Sequence, residues 1–273
     1  MRFQTLILGA ATLALASTGS AKAELIRVTI TNTSPIGGEI LSPLWVGFQD
    51  GTHPAFTVSA AASIGVAQIS QDGINANQTA LFAGNGAQGT LPGGPLKPGG
   101  TATMTFNVDT SGSGRYLDYL SMVVLSNDFF IGNASPTAID LSKLKPGQTL
   151  TLLGGVPNAG ATAGAPNIVY DSGTEINDFN FSLGNAAFGL AGGQTAPGQG
   201  NAENGVIHAV TGDPFASFLN TPAGFTSGNL NFNNPALYSS VALITITDVP
   251  EPVSIGMFAA GLLGLARARR RAV

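Results

Sequence analysis

The chain has 273 residues, of which 44% are hydrophobic and only 10% charged, with 37 glycines, 16 prolines and no cysteine. This length allows a sizeable core, and the hydrophobic content excludes intrinsic disorder. The abundance of Gly and Pro favours short strands joined by turns over a helix bundle. Without cysteine, disulfides, thiolate metal sites, iron–sulfur clusters and a cysteine nucleophile are excluded.

The basic residues are concentrated at the two ends of the chain. Between residues 24 and 248 only five Lys and Arg stand against fourteen Asp and Glu, a net charge of about −9. A nucleic-acid partner requires a basic surface. The central region therefore indicates an acidic, cation-tolerant extracellular domain that does not bind nucleic acid.

Residues 1–23 have the pattern of a secretory signal peptide. Arg2 provides the positive start, residues 6–16 the apolar stretch, and residues 21–23 an A-x-A cleavage site. We therefore expect the mature protein to begin at Glu24.

The body, residues 24–248, shows the alternation of apolar and polar residues that is typical of β-strands. One short helix is predicted over residues 58–70, with Ser59 as a possible N-cap and Gly73 after its end. Loops rich in small residues are predicted at 84–100, 159–166 and 184–205. The predicted strands are 25–31, 44–49, 101–108, 119–125, 148–153 and 239–247. Together they predict a mostly β fold, a single antiparallel β-sandwich with one or two short helices and long Gly-rich loops.

The two histidines give little support for a hydrolase. His53 lies in a Gly-Thr-His-Pro turn, which favours a solvated loop histidine, and no Gly-x-Ser-x-Gly motif surrounds any serine. A glycosidase needs two carboxylates facing a sugar. The sequence has many Asp and Glu residues, but nothing in it singles out one such pair. A glycosidase therefore stays an open alternative.

Two polar clusters carry the chemistry that the sequence suggests. Residues 170–178 (YDSGTEIND) bring three carboxylates and an amide together around a glycine, and hard oxygen ligands at such spacing suit Ca²⁺. A solvated turn held by Asx hydrogen bonds is the alternative. Residues 126–132 (SNDFFIG) place Asp128 beside aromatic residues after an apolar strand. A partly desolvated carboxylate there needs a cation or hydrogen-bond donors.

These two clusters resemble the signatures of the spondin domain of F-spondin type. The first, preceded by Ser-Met, is similar to a Ser-Pro-Asp-Trp-Phe-x-Gly loop, and D-S-G-T-E is similar to Asp-Ala-Gly-Thr-Asp. The resemblance implies a C2-like β-sandwich holding Ca²⁺ through Asp128, Asp171 and Glu175, with Asp178 solvated or behind the ligands. Phe129 stands where the family has Trp, and Glu175 where it has Asp.

The C-terminal residues 249–273 resemble a PEP-CTERM sorting signal of Gram-negative bacteria. Pro250, Glu251 and Pro252 precede an apolar run, residues 253–266, and an arginine-rich tail. As a helix the run would be about 21 Å long, shorter than the hydrocarbon core of a bilayer. The resemblance implies processing by an exosortase and only transient contact with the membrane. A simple tail anchor is the alternative.

The sequence thus predicts a secreted calcium-binding module at the cell surface or in the extracellular matrix of a Gram-negative bacterium. Its expected role is adhesion or matrix binding without catalysis, with an extracellular polysaccharide or a cell-surface protein as partner. A secreted carbohydrate-active enzyme on a β-sandwich and a structural matrix component are the alternatives.

Overall fold

A computed structural model describes residues 23–124, 126–155, 168–177, 200–212 and 240–250. The fold is mostly β, with two antiparallel sheets and two short helices, as the sequence predicts. One sheet has four strands, which are β1 (Glu24–Asn32), β5 (Thr101–Val108), β8 (Thr149–Gly154) and β11 (Ala242–Val249). Their order across this four-stranded sheet is β5-β1-β11-β8.

The second sheet has seven strands, which are β2 (Ile40–Leu41), β3 (Trp45–Gln49), β4 (Gln88–Thr90), β6 (Tyr116–Val124), β7 (Phe129–Gly132), β9 (Val169–Asp171) and β10 (His208–Ala209). Six of them lie in the order β10-β9-β7-β6-β3-β4, and β2 pairs with β6 beside this path.

The main core lies between the two sheets. In β1, Ile26, Val28 and Ile30 are fully buried, whereas Arg27 between them is exposed, so that one face of this strand points inward. They pack with Val46 and other residues of the second sheet in one hydrophobic cluster. In this strand, the alternation of apolar and polar residues in the sequence therefore matches the alternation of buried and exposed side chains.

The second sheet is buried on both faces. A smaller cluster containing Trp45, Phe130 and Tyr170 packs with residues of two helices, α1 (Ile64–Asp72) and α2 (Ala76–Phe82). Every residue of β3 is buried. This is why neither β3 nor the middle of β6 shows the alternation of buried and exposed residues seen in β1.

The helical region differs from the sequence prediction in three respects. Helix α1 begins at Ile64 and not at residue 58, and its N-cap is Ser63, whose Oγ accepts from Val66 N at 3.2 Å. Ser59 was the wrong cap, since its φ of 67° places it in a left-handed turn before the helix. The predicted end at Gly73 is confirmed, because its left-handed conformation closes α1. The second helix, α2, was not predicted individually.

Two predicted loops contain short strands. The segment 84–100 includes β4, and the segment that follows Asp128 forms β7. β4 has three residues and β7 has four, so any alternation in them is too short to identify a strand from the sequence. The predicted loop 159–166 lies outside the described residues, as do residues 184–199 of the other.

A buried polar network stabilises one edge of the second sheet, where β6 begins and β3 and β7 end. The fully buried Asp118 accepts from Asn133 Nδ2 at 2.7 Å and from Gln49 Nε2 at 3.3 Å. Asn133 also accepts from Tyr119 N at 3.0 Å and donates to Leu117 O at 3.1 Å. Burial raises the pKa of Asp118 to about 7, although its hydrogen bonds oppose this.

Candidate metal centre

The three predicted ligands lie together at the opposite edge of the same sheet. Asp128 immediately precedes β7, and Asp171 is the last residue of β9, directly opposite Phe129 across the β7–β9 pair. Ser172 N donates to the backbone oxygen of Asp128 at 3.2 Å. The antiparallel pairing of β7 and β9 therefore joins two acidic segments that are more than forty residues apart in the chain.

Asp128 is the centre of this arrangement. Its side chain is fully buried, and its Oδ2 accepts four hydrogen bonds, from Ser172 Oγ (2.8 Å), Thr174 N (2.7 Å), Thr174 Oγ1 (3.0 Å) and Glu175 N (3.0 Å). Its other oxygen, Oδ1, is buried and makes no hydrogen bond to any residue that the structure describes. The carboxylate is thus fixed by one oxygen while the other is left for a ligand.

Asp171 is 3% exposed and oriented by two short hydrogen bonds. Its Oδ1 accepts from Gly173 N at 2.7 Å, and its Oδ2 accepts from Asn177 Nδ2 at 2.6 Å. Burial, and then the negative charge of Asp128, raise the pKa of Asp171 to about 6. His208, opposite Asp171 across the β9–β10 pair, brings its Nε2 to 3.8 Å from Oδ2.

Glu175 completes the acidic cluster. It is 4% exposed, and its Oε1 accepts from Gly200 N at 3.0 Å. A Cβ at position 200 would lie 2.1 Å from the Glu175 carboxyl carbon, so a larger residue there would displace the Glu175 side chain. Burial raises the pKa of Glu175 to about 7, and the charges of Asp128 and Asp72 add to this effect.

The turn between Asp171 and Glu175 depends on Gly173. Its φ of 68° is left-handed, and a Cβ there would come within 2.6 Å of Val206 N. The glycine in the D-S-G-T-E motif is therefore needed both for its conformation and for space. The turn directs Thr174 N and Glu175 N toward Asp128.

Several residues of the site are not evident from the sequence. Ser70 on α1 donates to Ser172 Oγ at 2.9 Å, and Ser172 in turn donates to Asp128. His208 and Gly200 come from segments distant in the chain. A lone serine or glycine carries no sequence signal for such a role, because the role depends on the packing of α1 against the sheet.

The residues fit a hard cation in their chemistry. Three buried carboxylates, of which Asp171 and Glu175 have raised pKa values, and a buried oxygen of Asp128 without a partner among the described residues constitute a site that a positive charge would stabilise. In the part of the chain that the structure describes, however, no group of three or more Asp, Glu or His side chains is arranged to hold one ion. Hydrogen bonds to Gly173, Asn177 and Gly200 occupy oxygens of Asp171 and Glu175.

The remaining predicted residues give less information. Pro250 is exposed after β11, while Asp178, Glu251 and Pro252 lie outside the described residues, as do the predicted signal peptide up to residue 22 and the apolar run. None of the described helices is long and apolar enough to cross a membrane.

The molecule belongs to the class of antiparallel β-sandwiches, and it carries a buried acidic cluster of Asp128, Asp171 and Glu175 at one edge of the second sheet. No protein-family model matches the chain, and no curated protein is significantly similar to it. The spondin and PEP-CTERM resemblances therefore stay predictions.

Proposed function

We propose that this protein is a secreted, calcium-binding adhesion or matrix-binding module of a Gram-negative cell surface, and that it has no catalytic role. The observation that supports it best is Asp128. A carboxylate that is fully buried, held by four donors on Oδ2 and left without a partner on Oδ1, is costly unless a cation compensates for it.

Calcium is the cation that best suits these residues. Asp128, Asp171 and Glu175 would hold it, since Ca²⁺ takes six to eight oxygen ligands in flexible geometry. The neighbouring Asn127 also has a buried side-chain oxygen, Oδ1, without a hydrogen bond, which is a further neutral oxygen near the cluster. The ion would neutralise acids that otherwise repel one another.

The extracellular setting is supported by the signal-peptide pattern of residues 1–23 and by the sorting-signal pattern of residues 249–273. An exosortase would process the C-terminal segment, and contact with the membrane would be transient. An extracellular polysaccharide or a cell-surface protein would be the partner. The acidic body, with its net charge of about −9, suits a calcium-containing medium.

Calorimetric titration of the purified full-length chain with CaCl₂ tests the metal site. We expect about one Ca²⁺ per chain, and loss of binding in Asp171→Ala. Asp109→Ala is the matched control, because Asp109 holds a surface turn by bonding Ser111 and lies outside the cluster. Unchanged binding in Asp171→Ala would reject the site.

A further inference from the structure

A cleft of about 260 Å³ lies on the helical side of the second sheet, away from the acidic cluster. It is bordered by the turn that follows β3, by Ser63 at the start of α1, and by α2 with Asn85 beyond its end. None of its described lining residues is Lys, Arg, Asp or Glu. The cleft is therefore an uncharged site on an acidic protein.

One wall presents a histidine whose orientation is fixed. Thr52 Oγ1 donates its only proton to Asp50 Oδ1 at 2.6 Å, so it accepts from His53 Nδ1 at 2.7 Å. The neutral imidazole then carries its proton on Nδ1 and its lone pair on Nε2. His53, whose side chain is 47% exposed, thus offers the cleft a hydrogen-bond acceptor.

The floor presents the side-chain amide of Gln78, whose oxygen has no hydrogen-bond partner among the described residues. Gln78 is 4% exposed, and its Oε1 is buried without a partner against Gly65, where a Cβ would approach it to 2.4 Å. This contact holds the amide in place. The amide nitrogen is the atom left for a ligand, and the amide of Asn85 and the hydroxyl of Ser63 line the same space.

The remaining wall is apolar. Ala55 and Phe82 are buried, and Phe82 packs edge-on against Trp45 with ring centroids 5.2 Å apart. Leu81 beside them is 54% exposed and lines the same cleft. The cleft thus combines a rigid apolar surface with polar groups on the facing sides.

We propose that this cleft binds a neutral sugar ring, a proposal that rests on the extracellular binding role inferred above. Each sugar hydroxyl both donates and accepts, which matches the acceptor on His53 and the donors on Gln78 and Ser63. The C–H face of the ring would pack on Leu81 and Phe82. An anionic sugar is disfavoured, because the lining has no cation and the body is acidic.

Saturation-transfer NMR of the full-length chain tests this, with the methyl glycosides of glucose, mannose and galactose as probes and glucuronate as the charged counterpart. We expect transfer to the ring protons of at least one neutral glycoside with a millimolar Kd, and weaker transfer to glucuronate. Asn85→Ala and His53→Phe should each raise the Kd about tenfold, which corresponds to about 1.4 kcal/mol. Asn107→Ala, on the exposed face of β5, should leave it unchanged.

Gln78→Leu keeps the packing volume and removes the amide. This variant should abolish binding of the neutral glycosides. Its calcium titration should match that of the unaltered chain, so that failure of the sugar site and failure of the calcium site are distinguishable. The proposal is overturned if no neutral glycoside shows transfer, if glucuronate binds most tightly, or if the variants bind like the Asn107→Ala control.

Discussion

Replacing Asp128 by Asn separates the structural role of this side chain from its role in metal binding. Asparagine has the same shape, and its oxygen can accept from the four donors that now contact Oδ2, while its NH₂ group takes the place of Oδ1. The variant therefore keeps the turn but loses the negative charge and the oxygen that would face the ion.

The magnitudes follow from the contacts. Four hydrogen bonds to a charged acceptor become neutral ones, which costs about 1 kcal/mol each. Against this, a buried charge disappears, and with it part of the repulsion that raises the pKa of Asp171 to about 6. These contributions are of similar size, so we expect the free energy of unfolding without calcium to change by less than about 2 kcal/mol. Asp128→Ala leaves all four donors unpaired and should cost about 4 kcal/mol or more.

Calcium should distinguish the variants sharply. At a hundredfold excess over Kd, an ion that binds only the folded state adds about 2.7 kcal/mol. For a body of this size, that is a rise of roughly 5–10 °C in Tm. Mg²⁺ should do much less, because it demands stricter octahedral geometry. Asp128→Asn should show almost no rise with either ion.

Thermal melts with chelator, Ca²⁺ and Mg²⁺ provide the measurement. The reasoning is refuted if the unaltered chain melts at the same temperature in all three conditions, or if Asp128→Asn keeps the full calcium response. Equal destabilisation by the Asn and Ala substitutions would show that the charge itself fixes the turn.

Three further predictions concern pH, the second polar network and processing. In chelator, the stability should fall as pH rises from about 4 to about 7, because the folded state holds protons on Asp171 and Glu175 that the unfolded chain releases earlier. Calcium should reverse this trend, and identical pH profiles of Tm with and without the ion would contradict it. Asn133→Ala should lower the free energy of unfolding by about 3 kcal/mol in denaturant titrations, since it breaks the network around the Asp118 carboxylate; a loss below about 1 kcal/mol would show that the network is dispensable. Intact mass of surface material should show a chain that begins at Glu24 and lacks the segment after about Pro252, and retention of both ends would exclude processing.

The four-stranded sheet was predictable because only one of its faces is buried. Strand β1 was predicted at 25–31 and spans Glu24–Asn32, and β5 was predicted with its observed bounds, 101–108. In both strands, side chains alternate between core and solvent, so the polarity pattern of the sequence records the burial. The start of α1 was misplaced by six residues, because small residues before Ser63 continue an apolar pattern without forming helical hydrogen bonds.

Oxygen ligands and a glycine at short spacing are a local property, so the sequence could point to residues 170–178, whereas the grouping of Asp128 with Asp171 and Glu175 rested on the resemblance to the spondin signatures. The sequence alone did not decide their protonation, since the raised pKa values of Asp171 and Glu175 follow from burial and from the nearby Asp128. Nor could it show which oxygen of Asp128 is left without a partner.

The sequence by itself thus determined the fold class and the strands of the four-stranded sheet, because composition and the alternation of apolar and polar residues are local properties of the chain. The tertiary structure alone decided that Glu175 N donates to Asp128, that Ser70 of α1 donates to Ser172 beside them, and that Gln78 and His53 line the same cleft. Those contacts depend on strand register and on helix packing between segments distant in the chain, which no local pattern encodes.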